Sequence, residues 1–160
     1  ISFSNNKIRS IYSFEYCSFR NNIILNIPYS SISISVLENN FLPGTNYINS
    51  SILNNNISYS GINITTQNVG ANNLFGQEAG SIFVKEDSDF EYGNDYHLQA
   101  DCEGKNAGKD GTDMGIYGGA FPWKEGSIPF NPHYQRINIS PTTDNNGNLN
   151  VNIKVAAQER

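Results

Sequence analysis

Pairs of asparagine recur through the first half of the chain at nearly constant spacing: Asn5-Asn6, Asn21-Asn22, Asn39-Asn40, Asn55-Asn56 and Asn72-Asn73. Successive pairs stand 16, 18, 16 and 17 residues apart. Two residues before each pair lie Phe3, Phe19, Leu37, Leu53 and Gly70; shortly after it come Ile8, Ile23, Phe41, Ile57 and Leu74. Repeats built from helix pairs need more than about 30 residues, so this period is too short for them. At about 3.3 Å per residue the unit has a perimeter of roughly 56 Å, room for three short strands and three turns. The period therefore predicts a β-solenoid whose coils stack about 4.8 Å apart. Asparagine suits its corners because it tolerates the left-handed backbone that a sharp turn needs. Its amide can also bond to the equivalent amide of the next coil. We assign such a ladder to Asn5, Asn21, Asn39, Asn55 and Asn72. Between the pairs, "SISIS" (31–35) and "GINIT" (61–65) alternate as strands with one buried face do. The leucine-rich repeat also uses an asparagine ladder, but its L-x-x-L-x-L pattern is absent.

Composition agrees with an all-β chain. Asparagine supplies 25 of 160 residues, there is one Met, and good helix formers are scarce. Charged residues make up 16% and the net charge is −5, with no Lys/Arg cluster, which argues against nucleic acid as a partner. No apolar run approaches the roughly 20 residues that span a bilayer. Cys17 and Cys102 allow one disulfide or none, and the burial preference of cysteine favours two small buried side chains. The chain opens on "ISFSNN", inside the repeat pattern, which reads as a piece of a longer precursor whose open first coil stacks on further coils or on another chain.

Beyond Phe75 the pairing stops. Residues 95–119 are dense in Gly and Asp and must turn often. They contain Asp95-Tyr96-His97-Leu98, Asn106-Ala107-Gly108 and Asp110-Gly111-Thr112-Asp113-Met114-Gly115-Ile116-Tyr117-Gly118-Gly119. This stretch resembles the closing segment of extracellular bacterial right-handed parallel β-helix proteins, whose fold is shared with pectate lyases. The resemblance implies a right-handed parallel β-helix over 1–119 and a secreted or cell-surface location. It says little of function, since this fold carries lyases, hydrolases, adhesins and binding proteins. An aromatic, proline-rich strap is expected at 120–135. Over 136–160, "RINISP" and "LNVNIKVAAQ" flank an Asn-Gly turn and predict an antiparallel hairpin that caps the solenoid.

The candidate chemistry is sparse. Calcium takes six to eight oxygens, and Asp87, Asp89, Asp110 and Asp113 are the candidate ligands. Asp110 and Asp113 have a simpler role available, fixing a Gly-rich turn through backbone N–H groups. Exposed aromatics can stack on sugar rings; Tyr92, Tyr96 and Tyr134 are the candidates. Polygalacturonase-type enzymes of the resembled fold are expected to carry G-H-G, R-x-K and D-D motifs, and none occurs. No zinc spacing, nucleophile elbow, P-loop or dinucleotide fingerprint is present, so no catalytic residue is assigned. The expectation is a non-catalytic, rigid module recognising polysaccharide or a surface protein, without a required cofactor. Part of a polysaccharide lyase or glycoside hydrolase, or a subunit of a larger surface assembly, are the alternatives.

Overall fold

The structure is a computed structural model that describes residues 1–27, 32–43, 48–61, 68–86, 91, 93–124 and 131–157. It divides into two compact units, Ile1–Trp123 and Lys124–Arg160. No helix occurs among the described residues, and none is therefore long and apolar enough to cross a membrane.

The first unit is a parallel β-solenoid of about four turns. The described strands fall on three sides of the coils. One side is a five-stranded parallel sheet of β1 (Ser2–Ser4), β4 (Ser18–Arg20), β7 (Val36–Glu38), β9 (Ile52–Asn54) and β10 (Val69–Ala71). The second is β2 (Lys7–Ile8) beside β5 (Ile23–Ile24), continued by single bridges through Phe41, Ile57 and Leu74. The third is β3 (Phe14–Glu15), β6 (Ile32–Ser33) and β8 (Ile48–Asn49). Register puts Phe3, Phe19, Leu37 and Leu53 directly above one another, as the repeat requires. These residues point inward with Ile24, Ile32, Leu42 and Ile48 to form the solenoid core. The irregular spacing is absorbed at one corner: Ile8 to Phe14 spans 6 residues, Ile24 to Ile32 spans 8, and Leu42 to Ile48 spans 6. "GINIT" lies mostly outside the described residues.

The two asparagines of each pair divide the work. Asn5, Asn21, Asn39, Asn55 and Asn72 all have φ between 52° and 57°, so the first residue makes the left-handed corner. The amide ladder runs instead through the second. Asn6 Nδ2 donates to Asn22 Oδ1 (3.1 Å), Asn22 to Asn40 (3.0 Å), Asn40 to Asn56 (3.0 Å) and Asn56 to Asn73 (3.0 Å). The ladder therefore moves one residue along from the positions expected of it, because the corner turns the first side chain away from the stack.

A second ladder lies at the opposite end of the five-stranded sheet. Cys17 N donates to Ser35 Oγ, Ser35 N to Ser51 Oγ, and Ser51 N to Asn68 Oδ1. The residues just before it, Tyr16, Ile34 and Ser50, are also left-handed, with φ of 55°, 49° and 49°.

Among the described residues, parallel pairing ends at Leu74, and none from 76 to 123 pairs in parallel. β11 (Phe83–Lys85) and β12 (Asp95–Leu98) pair antiparallel, and the "DYHL" strand thus belongs to a flanking layer. Ile82, Phe83, Tyr96, Leu98, Met114 and Ile116 close over Ile23, Phe41 and Ile57, which point outward from the second side. Cys17 and Cys102 are both free thiols and both buried, one in each core.

The second unit contains an antiparallel hairpin, β13 (His133–Ile139) and β14 (Val151–Ala156). Its loop is held by Asp144, whose Oδ1 accepts from Asn146 N and Asn148 N, while Gly147 takes φ 83°. Six of the sixteen residues of the expected strap, 125–130, lie outside the described residues.

Candidate functional site

The first asparagines turn their side chains outward, and the Gly-rich segment docks on them. Asn55 Nδ2 donates to Ala107 O (2.9 Å), Asn39 Oδ1 accepts from Lys109 N (2.8 Å), and Asn21 Nδ2 donates to Gly115 O (3.4 Å). Asn5 Nδ2 reaches both Ile116 O and Gly118 O at 3.1 Å. Residues 107–118 therefore run down the corner from the fourth coil to the first. Gly118 is required there: a Cβ would lie 1.8 Å from Asp113 O and 2.8 Å from Asn21 Nδ2.

This segment walls a groove of about 560 Å³ against the five-stranded sheet. Its floor holds Glu38, only 7% exposed. Arg20, one coil earlier in the same outward column, approaches Glu38 Oε2 at 3.2 Å, and Lys109 from the docked segment approaches Oε1 at 2.5 Å. A nearly buried carboxylate is costly unless paired, and here two cations hold it, one at each oxygen. Both cations remain more than half exposed at the groove's surface. Phe121, 58% exposed, and Asp110 complete the rim. The arrangement presents fixed donors beside an apolar ring, suited to hydroxyl- and carboxylate-bearing ligands.

Two further polar constellations occur on the flank. Tyr59 Oη donates to Glu86 Oε2 beside Gln99, in a niche of about 460 Å³. Burial of the Glu86 carboxyl raises its pKa, against the lowering effect of the Tyr59 bond; burial and the Glu86 contact raise that of Tyr59. On β12, His97 Nδ1 lies 2.6 Å from Asp95 Oδ1 and its ring stacks on Tyr117 at 3.7 Å. Hydrogen bonds from the His97 backbone and ring hold Asp95 below the usual carboxylate range.

The sequence candidates fare unevenly. Asp87, Asp89 and Tyr92 lie outside the described residues. Asp110 Oδ1 accepts from Thr112 N and Thr112 Oγ1, and Asp113 Oδ1 from Asn106 N, so both carboxylates pin turns. Among the described residues no three His, Cys, Asp or Glu side chains converge as a metal set, and Asp110 and Asp113 fit a calcium site poorly. Tyr96 cannot face a ligand: it is 1% exposed, edge-on to Phe83 at 5.2 Å. Tyr134 is 66% exposed on β13 of the second unit. Arg20, Glu38 and Lys109 were not among the candidates. The signal for the first two was present: they are 18 residues apart, the same step that separates Asn21 from Asn39.

No protein-family model matches the chain, and no curated protein or solved structure matches it either.

Proposed function

We propose that the chain is a rigid recognition module of a secreted or cell-surface protein, and that the groove beside the asparagine corner takes a polysaccharide. The observation that carries this reading is the Arg20–Glu38–Lys109 cluster set into the groove next to Phe121. The carboxylate is committed to two cations, an arrangement for holding shape and offering donors rather than for moving a proton. The cations' remaining N–H groups can meet sugar hydroxyls or uronate carboxylates, and the Phe121 ring can stack on a pyranose face.

The test is affinity electrophoresis of the protein in gels containing polygalacturonate, alginate or a neutral glycan, each with calcium and with chelator. Product formation is followed in parallel by unsaturated-sugar absorbance and new reducing ends. The expected result is retardation by an acidic polymer, weakened about tenfold by Arg20→Gln, the size of one charge-assisted contact, and no product. Loss of retardation with chelator would bring calcium into the site. Retardation by no polymer overturns the polysaccharide and leaves a surface protein as the partner class; product formation moves the protein to the lyases or hydrolases.

A further inference from the structure

The asparagines of this chain differ in how firmly their side chains are held. Along the ladder, Asn22, Asn40 and Asn56 are fully buried. Each amide nitrogen donates twice, forward to the next coil and back to Phe3 O, Phe19 O or Leu37 O. A bulky residue, Ile23, Phe41 or Ile57, follows each of them. Asn49 precedes the small Ser50 but is fixed in β8, where its carbonyl accepts from Ile34 N (3.2 Å) and Ser51 Oγ (2.7 Å). Asn106 precedes Ala107, and its own N–H is held by Asp113 Oδ1 (2.9 Å).

The hairpin loop reverses this. Asn146 is exposed, and among the described residues its side-chain amide makes no hydrogen bond. It is the one asparagine of the 25 that glycine follows. Gly147 lies at φ 83°, and a Cβ there would meet nothing within 4 Å, so the junction stands in open space. An unheld amide beside a glycine nitrogen is a reactive pair. Its Cγ is electrophilic, and the next backbone nitrogen can close a five-membered ring onto it when no Cβ crowds the approach. The turn opposes that approach. Gly147 N donates to Asp144 O (3.0 Å), and Asp144 N to Asn148 O (2.8 Å). The Asp144 carboxylate gathers Asn146 N (2.9 Å), Asn148 N (2.8 Å) and Asn148 Nδ2 (3.1 Å). While these bonds stand, the attacking nitrogen is committed to a carbonyl and the backbone of Asn146 is held.

We propose that Asn146 is a self-modification site, which deamidates through a cyclic imide at a rate set by the Asp144 turn. Gly147 N gives up its proton to water and bonds to Asn146 Cγ. The Cγ–Nδ2 bond breaks, and Nδ2 leaves as ammonia, its third hydrogen replacing the one that Gly147 N gave up. One water then opens the ring. Cleavage between Gly147 N and Cγ leaves aspartate at 146. Cleavage between Gly147 N and the main-chain carbonyl carbon of residue 146 leaves isoaspartate, whose main chain runs through Cβ and Cγ. No oxidation state changes. Either product sets a carboxylate near that of Asp144, and isoaspartate also puts Gly147 N out of register with Asp144 O. The loop thus carries an irreversible, time-dependent change that the ladder asparagines are built to avoid.

The test ages the full chain in warm neutral buffer. Tryptic digests are read by tandem mass spectrometry, and isoaspartate is counted by enzymatic methyl transfer from S-adenosylmethionine. Conversion of amide to acid is expected at Asn146 ahead of every other asparagine, with isoaspartate among the products. Asp144→Ala should speed it about fivefold, the shift that loss of one net hydrogen bond from the closed turn produces. Gly147→Ala also loosens the turn, since alanine is strained at this φ. It should nonetheless slow conversion about tenfold, because its Cβ crowds the attacking nitrogen. First conversion at another asparagine overturns the proposal, as does aspartate without isoaspartate, the mark of direct hydrolysis. A rate that Asp144→Ala leaves unchanged overturns it too, and so does a Gly147→Ala rate as fast as that of Asp144→Ala, which would make loop mobility alone the cause.

Discussion

Among the described residues, nine other than glycine adopt the left-handed conformation, and eight of them mark the two corners that flank the five-stranded sheet. Asparagine bears this cheaply; a β-branched side chain does not. Ile34, at φ 49°, is 46% exposed, so burial returns little for its strain. Ile34→Asn should therefore stabilise the protein by about 1 kcal/mol, read as a higher urea midpoint at unchanged slope. The ladder residues behave oppositely. Asn40 is fully buried and makes four hydrogen bonds through its amide, to Asn22 N, Asn22 Nδ2, Asn56 Oδ1 and Phe19 O. Asn40→Ala strands buried donors and an acceptor, and should cost about 3 kcal/mol. Asn6→Ala, at the exposed end of the same ladder, should cost less than about 1 kcal/mol. Equal losses at the two positions would show that the ladder is not cooperative with the core. This scale also explains what the sequence disclosed. The asparagine corner was legible because the same two letters recur, and only the choice of which amide stacks was not. The second corner was hidden because Cys17, Ser35, Ser51 and Asn68 share a position and a small polar or thiol side chain, but not a name.

At the scale of elements, the Gly-rich segment is the piece whose composition misled. Gly and Asp density announces turns, but cannot say that a segment lies along a corner instead of across the end of the stack. What fixes it is a set of backbone hydrogen-bonding groups offered to outward asparagine side chains, together with close approach at Gly118. Gly118→Ala should loosen 107–118 without unfolding the coils, seen as faster amide exchange in that segment and unchanged protection of β4, β7 and β9. Its effect on glycan retardation should match that of Arg20→Gln, since Lys109 rides on the same segment. The flank also carries a pH term. The Glu86 pKa is raised in the folded protein, so the folded state binds the proton more tightly than the unfolded chain. Stability from this group is present below the ordinary carboxylate value and is lost as pH rises through the folded value. Glu86→Gln keeps an acceptor for Tyr59 and removes the charge. It should raise stability at pH 7 by less than about 1 kcal/mol, because the site is partly screened by solvent. At pH 4 it should change nothing; a gain of equal size at both pH values would remove the charge as the cause.

At the scale of the whole molecule, stability is unevenly shared. The first unit contains both core clusters and both ladders. The second displays an alternating hairpin whose apolar row, Ile137, Ile139, Val151, Ile153 and Val155, is 47–60% exposed, while Arg136, Asn138, Asn152 and Lys154 lie on the other face. Its strands and turn were legible from alternation and Asn-Gly; its contribution to the fold was not, because pattern reports which face is apolar and not what covers it. A lone two-stranded ribbon is marginal in water, whereas stacked coils are stabilised by each neighbour. A chain ending at Trp123 should therefore fold, and melt within about 2 °C of the full protein, well inside the shift that 1 kcal/mol produces in a domain of this size. In the full chain, amides of β13 and β14 should exchange within seconds, while those of β4, β7 and β9 exchange only through opening of the solenoid. A drop of more than about 5 °C on truncation, equivalent to at least 1 kcal/mol, would mean that the apolar row is covered in solution and that the hairpin supports the coils. Unchanged melting with fast exchange would leave that row as surface.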